Sequence, residues 1–189
     1  MNTFTSASRF LFATFASLTL MAFATPAMAQ AITNPPVLQA DNGDRNTDEW
    51  NLPKRGDKLA VDGYDPVAYF PEGGEKATKG KKSIAYDHAG VTYRFSSQKH
   101  KDLFVENPDR YEPAHGGWCS WAMREGGKTE PNPKNFIVKD DRLFLFYKGF
   151  LGDTKKDWEK TDHDESAQKA DNSWKDISGE EKRQAPEKE

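Results

Sequence analysis

Cysteine is almost missing from this chain of 189 residues: Cys119 is the only one. One cysteine closes no internal disulfide, so no disulfide framework holds the fold and a four-cysteine zinc site is excluded. Long apolar runs are missing beyond residue 24, which leaves no later segment able to cross a bilayer as a helix. Excess positive charge is missing too. Lys and Arg number 27 against 30 Asp and Glu, for a net −3. Residues 30–151 carry 18 charges of each sign, and residues 152–189 carry 12 acidic and 8 basic side chains. Without a basic stripe for a phosphate backbone, nucleic acid is not expected as a partner.

What is present begins with an export pattern. In "MNTFTSASRFLFATFASLTLMAFATPAMAQ" a single charge, Arg9, precedes an apolar run from Phe10 to Ala24, and "AMA" at 27–29 fits a small-residue cleavage site. Residues 1–29 are therefore expected to be a signal peptide. The mature chain would begin at Gln30, periplasmic or secreted, and no cysteine at the cleavage site argues for a lipid anchor.

Residues 30–57 are polar and rich in turn formers, which predicts an extended leader. The stretch "SIAYDHAGVTYRFSS" alternates bulky and small residues around a turn at Gly90, and "NFIVKDDRLFLFY" does so around Asp140 and Asp141. Both predict β-hairpins. Ser96 or Ser97 can cap a helix over "QKHKDLFVEN" that Pro108 helps to stop, and "WCSWAMRE" predicts a second short helix. A last helix is expected from near Asp153 through Trp158 towards Trp174, followed by a disordered charged tail at 177–189. The expected fold is α+β: a small single domain over 58–176 with two β-hairpins, short intervening helices and a C-terminal helix.

The segments "GYDPVAYF", "YDHAGVTYRFSSQKHKDLFVENPDRYEP", "GGWCSWAM" and "KADNSW" together resemble the YHS domain family, in its exported bacterial branch of standalone proteins. The resemblance spans roughly 59–176. It implies kinship with TRASH-like modules that handle heavy metals. In the metal-binding form one cysteine follows a "DPV" segment and two flank the start of the helix after the hairpin. Those positions here hold Ala68, Ser96 and His100, of which only His100 is a competent soft-metal donor.

The remaining donors are His88, His100, His115, His163 and Cys119. His163 lies in a charged segment and His88 in a hairpin turn, where side chains usually face solvent. His115 and Cys119 have the spacing H-x₃-C across Gly116 and Gly117, which let the backbone turn so that both side chains can converge. The expected metal ligands are Cys119, His115 and His100, a partial set suited to copper or zinc in a transfer site. Met123, four residues beyond the cysteine, is a further thioether or core filler.

Three functions stay open. The first is a non-enzymatic metal-handling accessory protein acting with a periplasmic partner. The second is a non-catalytic interaction or ligand-binding module without metal. The third, a thiol enzyme with His115 as base to Cys119, lacks a nominated third group and oxyanion site.

Overall fold

The computed structural model describes residues 45–52 and 57–183. The expected signal peptide, its cleavage site and the leader up to residue 44 lie outside them, as do residues 184–189. The described residues form a mixed α+β fold of three antiparallel hairpins and five helices. Among them no helix is long and apolar enough to cross a membrane.

The first hairpin pairs β1, Lys81–His88, with β2, Val91–Phe95, across a turn with positive φ at Ala89 and Gly90. That turn twists with the strands, which is why it closes a two-residue hairpin. Val91, Tyr93 and Phe95 face the core while Thr92 and Arg94 between them do not, the alternation a half-buried strand requires. Helix α1, Gln98–Glu106, then lays Phe104 onto Tyr93 and Phe95, with ring centroids 4.5 and 5.3 Å away. Ser97 is its cap, accepting from the His100 backbone N–H, and Ser96 is left free for another task. Pro108 does more than end this helix: it opens a one-turn helix α2, Pro108–Tyr111, where its missing N–H costs nothing.

A 3-10 turn at Ala114–Gly117 leads into α3, Ser120–Arg124, and then to the second hairpin, β3 at Asn132–Lys139 and β4 at Arg142–Phe146. The turn falls on Asp140 and Asp141, both with positive φ, where the sequence predicts it. Strand β4 is apolar on both faces. Leu143 and Leu145 join the main core with Tyr69, Phe95, Phe104 and Trp174, whereas Phe144 and Phe146 join a second cluster with Trp158. The unbroken run "LFLF" is thus a strand buried on both sides, not a failed alternation.

Two features depart from the sequence reading. A third hairpin, β5 at Lys148–Gly149 and β6 at Gly152–Asp153, follows directly; two-residue strands are too short to leave a periodic signal. The last helix is two: α4, Thr154–Trp158, and α5, His163–Ser178. Asp162 separates them, its carboxylate accepting from the N–H groups of Asp164 and Glu165, which starts a new helix instead of continuing the old one. The pattern "DHDE" at 162–165 carries that signal.

The domain limits also move outward at both ends. Residues 45–52, assigned to an extended leader, are packed. Trp50 is buried, the Asn51 N–H donates to the Gly116 carbonyl at 2.9 Å, and Trp118 Nε1 donates to the Glu49 carbonyl at 2.7 Å. Residues 177–183, assigned to a disordered tail, fold back. Gly179 caps α5 in the left-handed conformation, Glu180 accepts from Trp50 Nε1, and Arg183 pairs with Glu112 at 2.6 Å. One buried tryptophan and two ion-paired arginines order these segments without any apolar period.

Candidate functional site

Cys119 stands at the start of α3 and is wholly buried. Its side chain makes no capping bond to that helix. The sulfur instead accepts from the Tyr147 backbone N–H at 3.3 Å and lies 3.4 Å from Thr154 Oγ1. Thr154 Oγ1 donates its proton to the Tyr147 carbonyl at 3.1 Å, which leaves the thiol to donate its own proton to Thr154 Oγ1. The thiol therefore closes a small ring that ties α3 to the end of β4 and the start of α4. Trp118 and Trp121 beside it are half-buried.

His115 points elsewhere. It occupies a left-handed turn with Gly116 (φ 55° and 58°), and its ring is buried. Nδ1 lies 3.1 Å from Ser120 Oγ and Nε2 lies 3.0 Å from Asp171 Oδ1. Neither nitrogen meets Cys119, so the Cys–His pair of a thiol enzyme is not formed. Burial lowers the His115 pKa from 6.5 although Asp171 pulls the other way, and the ring is neutral at pH 7. The tautomer follows: Nε2–H donates to Asp171 and Nδ1 accepts from Ser120. Burial pushes the Asp171 carboxyl up, but the His115 hydrogen bond and the bidentate Arg142 guanidinium (2.5 and 3.0 Å) outweigh it and bring the value to about 2. Ser–His–Asp contacts are the vocabulary of hydrolases, yet Ser120 is sealed from solvent and cannot reach a substrate.

His100 forms a second closed cluster. Its Nδ1 lies 2.6 Å from Asp65 Oδ2, which also accepts from the Ser96 N–H at 2.8 Å and the Ser96 hydroxyl at 2.7 Å. The other oxygen of Asp65 takes the Val67 N–H at 3.0 Å. Ser96 and His100, where the resemblance noted in the sequence expects ligands, are thus side by side, joined through a buried carboxylate.

The structure accordingly separates the three expected metal ligands. Cys119, His115 and His100 each have their own internal partners. Among the described residues, only His88, Asp109 and Glu112 place three donor atoms within 4.8 Å of one another. That carboxylate pair is already engaged: Arg45 lies 2.7 Å from Asp109 and 2.9 Å from Glu112, and Tyr93 donates to Glu112 at 2.8 Å. Met123 is core filler in the main cluster.

An open groove lies beside the His115–Asp171 pair, between β4 and α5, with a volume of about 350 Å³. Ile137, Phe144, Trp158 and Ala167 give it an apolar floor, and Lys139, Asp164 and Lys182 stand at its rim. Lys139 is occupied by Asp140 and Asp164, and Arg142 by Asp171. Lys182 is exposed and has no ion-pair partner among the described residues. Sequence reasoning missed this groove, and also Asp65, Asp171, Glu112 and Arg45. The repeated aspartates in "DGYDP" and the lone acid in "KADNSW" were the only local marks of the first two.

No protein-family model matches the chain, and neither does any curated protein or solved structure.

Proposed function

We propose that this protein is an exported, non-catalytic binding module of the YHS kind that holds a small amphipathic acid in the groove between β4 and α5. One observation supports this reading above the others: the thiol and the two imidazoles nominated for chemistry are committed to internal hydrogen bonds, while the groove stays open. An apolar floor with a few polar groups at the rim is the usual make-up of a small-molecule site. Lys182 gives that rim a positive charge not spent on an ion pair among the described residues. Indole-3-acetate is a suitable probe. Its titration should shift the backbone amide signals of Arg142–Phe146 and of 167–171 saturably, and Lys182→Glu should weaken it. Shifts scattered over the surface, or equal binding of indole without the carboxylate, would reject the proposal.

The metal-handling reading is favoured by a different trio from the one the sequence nominates. Burial lowers the His88 pKa, so its imidazole is neutral at pH 7 with a lone pair to offer beside two carboxylates. One nitrogen and two oxygens suit zinc better than Cu(I), provided Arg45 yields its place. Elemental analysis of the protein recovered from the exporting cell separates the options. Zinc lost on His88→Ala and kept on Cys119→Ser supports this trio; copper lost on Cys119→Ser supports the thiol; no metal leaves the groove reading alone.

A further inference from the structure

Among the described residues the tip of the third hairpin is the most exposed apolar feature. Phe150 is 100 % and Leu151 85 % exposed, and among the described residues the other large apolar side chains, Val105 apart, are buried or half-buried. The two residues form the loop between β5 and β6 and are not simply loose. The Tyr147 hydroxyl sits under the hairpin and accepts from the Leu151 N–H at 3.3 Å. A Cβ at Gly149 would come within 2.4 Å of that hydroxyl, so only glycine allows the close approach. The hairpin is thus braced by Tyr147 while its two apolar side chains stand in solvent.

The base of this hairpin is basic, although the chain as a whole is acidic. Lys148 and Asp153 pair across the two strands at 3.2 Å, and Asn135 also donates to Asp153 at 2.9 Å. In α4 and just beyond it, the acids Glu159 and Asp157 are matched by Lys155 and Lys160. Two exposed lysines are left over: Lys134, next to Asn135, and Lys156 on the first turn after β6. Neither has an ion-pair partner among the described residues. The tip and its surroundings therefore carry a net positive charge beneath a protruding Phe–Leu pair.

We propose that this hairpin is a membrane-contact element, with Phe150 and Leu151 entering the interface of an anionic lipid surface and Lys134 and Lys156 meeting its headgroups. A convex, two-residue tip offers too little area for a stable protein interface, whereas aromatic and aliphatic insertion above a basic collar is how peripheral proteins engage lipid. The contact is weak and reversible, because one apolar pair and two charges amount to a single modest anchor.

Co-sedimentation with phosphatidylcholine vesicles, with and without phosphatidylglycerol, tests this on protein recovered from the exporting cell. Wild-type protein should bind the phosphatidylglycerol vesicles, and Phe150→Ser with Leu151→Ser should lower the partition coefficient about tenfold or more. Comparing the two proteins cancels any contribution from the N-terminal segment. Lys134→Gln with Lys156→Gln should remove the preference for anionic lipid, and raised salt should do the same. The melting temperature should not fall in either variant, because the tip buries nothing. Equal binding by wild type and the Phe150/Leu151 variant overturns the proposal, as does absence of binding. So does concentration-dependent self-association that the tip substitutions abolish, since a second copy would then be the occupant.

Discussion

Two serine–histidine–aspartate clusters sit in this molecule, built from the same three residue types and used differently. In the first, Asp65 is fully buried and accepts from His100, twice from Ser96 and from Val67. It gathers the turn before Val67, the end of β2 and the first turn of α1 around one carboxylate. In the second, Asp171 is held by Arg142 as well as His115, and its side chain is still 12 % exposed. The first is a hub in which the aspartate does the tying; the second is a chain in which a neutral histidine passes between Ser120 and a solvated ion pair. Composition alone does not separate a staple from a relay. The number of backbone donors aimed at the carboxylate does.

The comparison breaks most severely at Asp65. Asp65→Ala leaves the Ser96 and Val67 N–H groups without their acceptor in the interior, and should cost about 3–5 kcal/mol in denaturant unfolding. Asp171→Ala should cost less, about 1–3 kcal/mol, because Arg142 can turn to water. Equal losses would erase the distinction between hub and chain.

Gly116→Ala attacks the second cluster alone. Its Cβ would fall 2.5 Å from the Trp174 ring, at φ 58° where a side chain is already strained. A loss of about 2–4 kcal/mol is expected, with the intrinsic fluorescence of Trp174 disturbed.

Acid sharpens the contrast further. Buried His115 has a lowered pKa, so on acidification the unfolded chain takes up a proton, near 6.5, before the folded one does. Stability contributed by this site is therefore complete above that value and declines as pH falls, until folded His115 itself protonates. Asp171 behaves as a depressed carboxylate: its contribution is present above 3.8 and is lost as pH falls towards about 2. Melting temperature should drop as pH falls below about 6.5, and histidine NMR should show His115 protonating below that value. A ring that protonates at or above 6.5 would refute the neutral tautomer.

The smallest effect belongs to Cys119. Cys119→Ser keeps a donor and acceptor near Tyr147 and Thr154 and should cost about 1 kcal/mol, and bulky thiol reagents should not label the folded protein. Rapid labelling in native conditions would show that the sulfur is not sealed.

The first two hairpins and α1 are legible because their periods are local: Val91, Tyr93 and Phe95 alternate within five residues, and Ser97 caps its own helix. The site is not. His100 meets Asp65 across 35 positions, His115 meets Asp171 across 56, and the Cys119 sulfur meets Tyr147 across 28. Such pairings leave no mark in neighbouring residues, so spacing drew His115 and Cys119 together when the fold gives each another partner. The split between α4 and α5 is readable in Asp162, whose carboxylate caps the second helix, but the sequence reading runs one helix through it.

Trp50 and Glu180 have a consequence for how the molecule comes apart. The first and last described segments are clasped to each other, with Asn46 and Trp50 both donating to the Glu180 carboxylate and Arg45 and Arg183 sharing Glu112. The described chain is in effect a loop with a buckle. Trimming from either side opens the same fastening, so a deletion ending after Trp50 and one beginning before Glu180 should loosen the same face of the core. Tension applied at the two ends would load this clasp before any strand or helix gives way, and a short linker joining them would leave the remaining fold undisturbed.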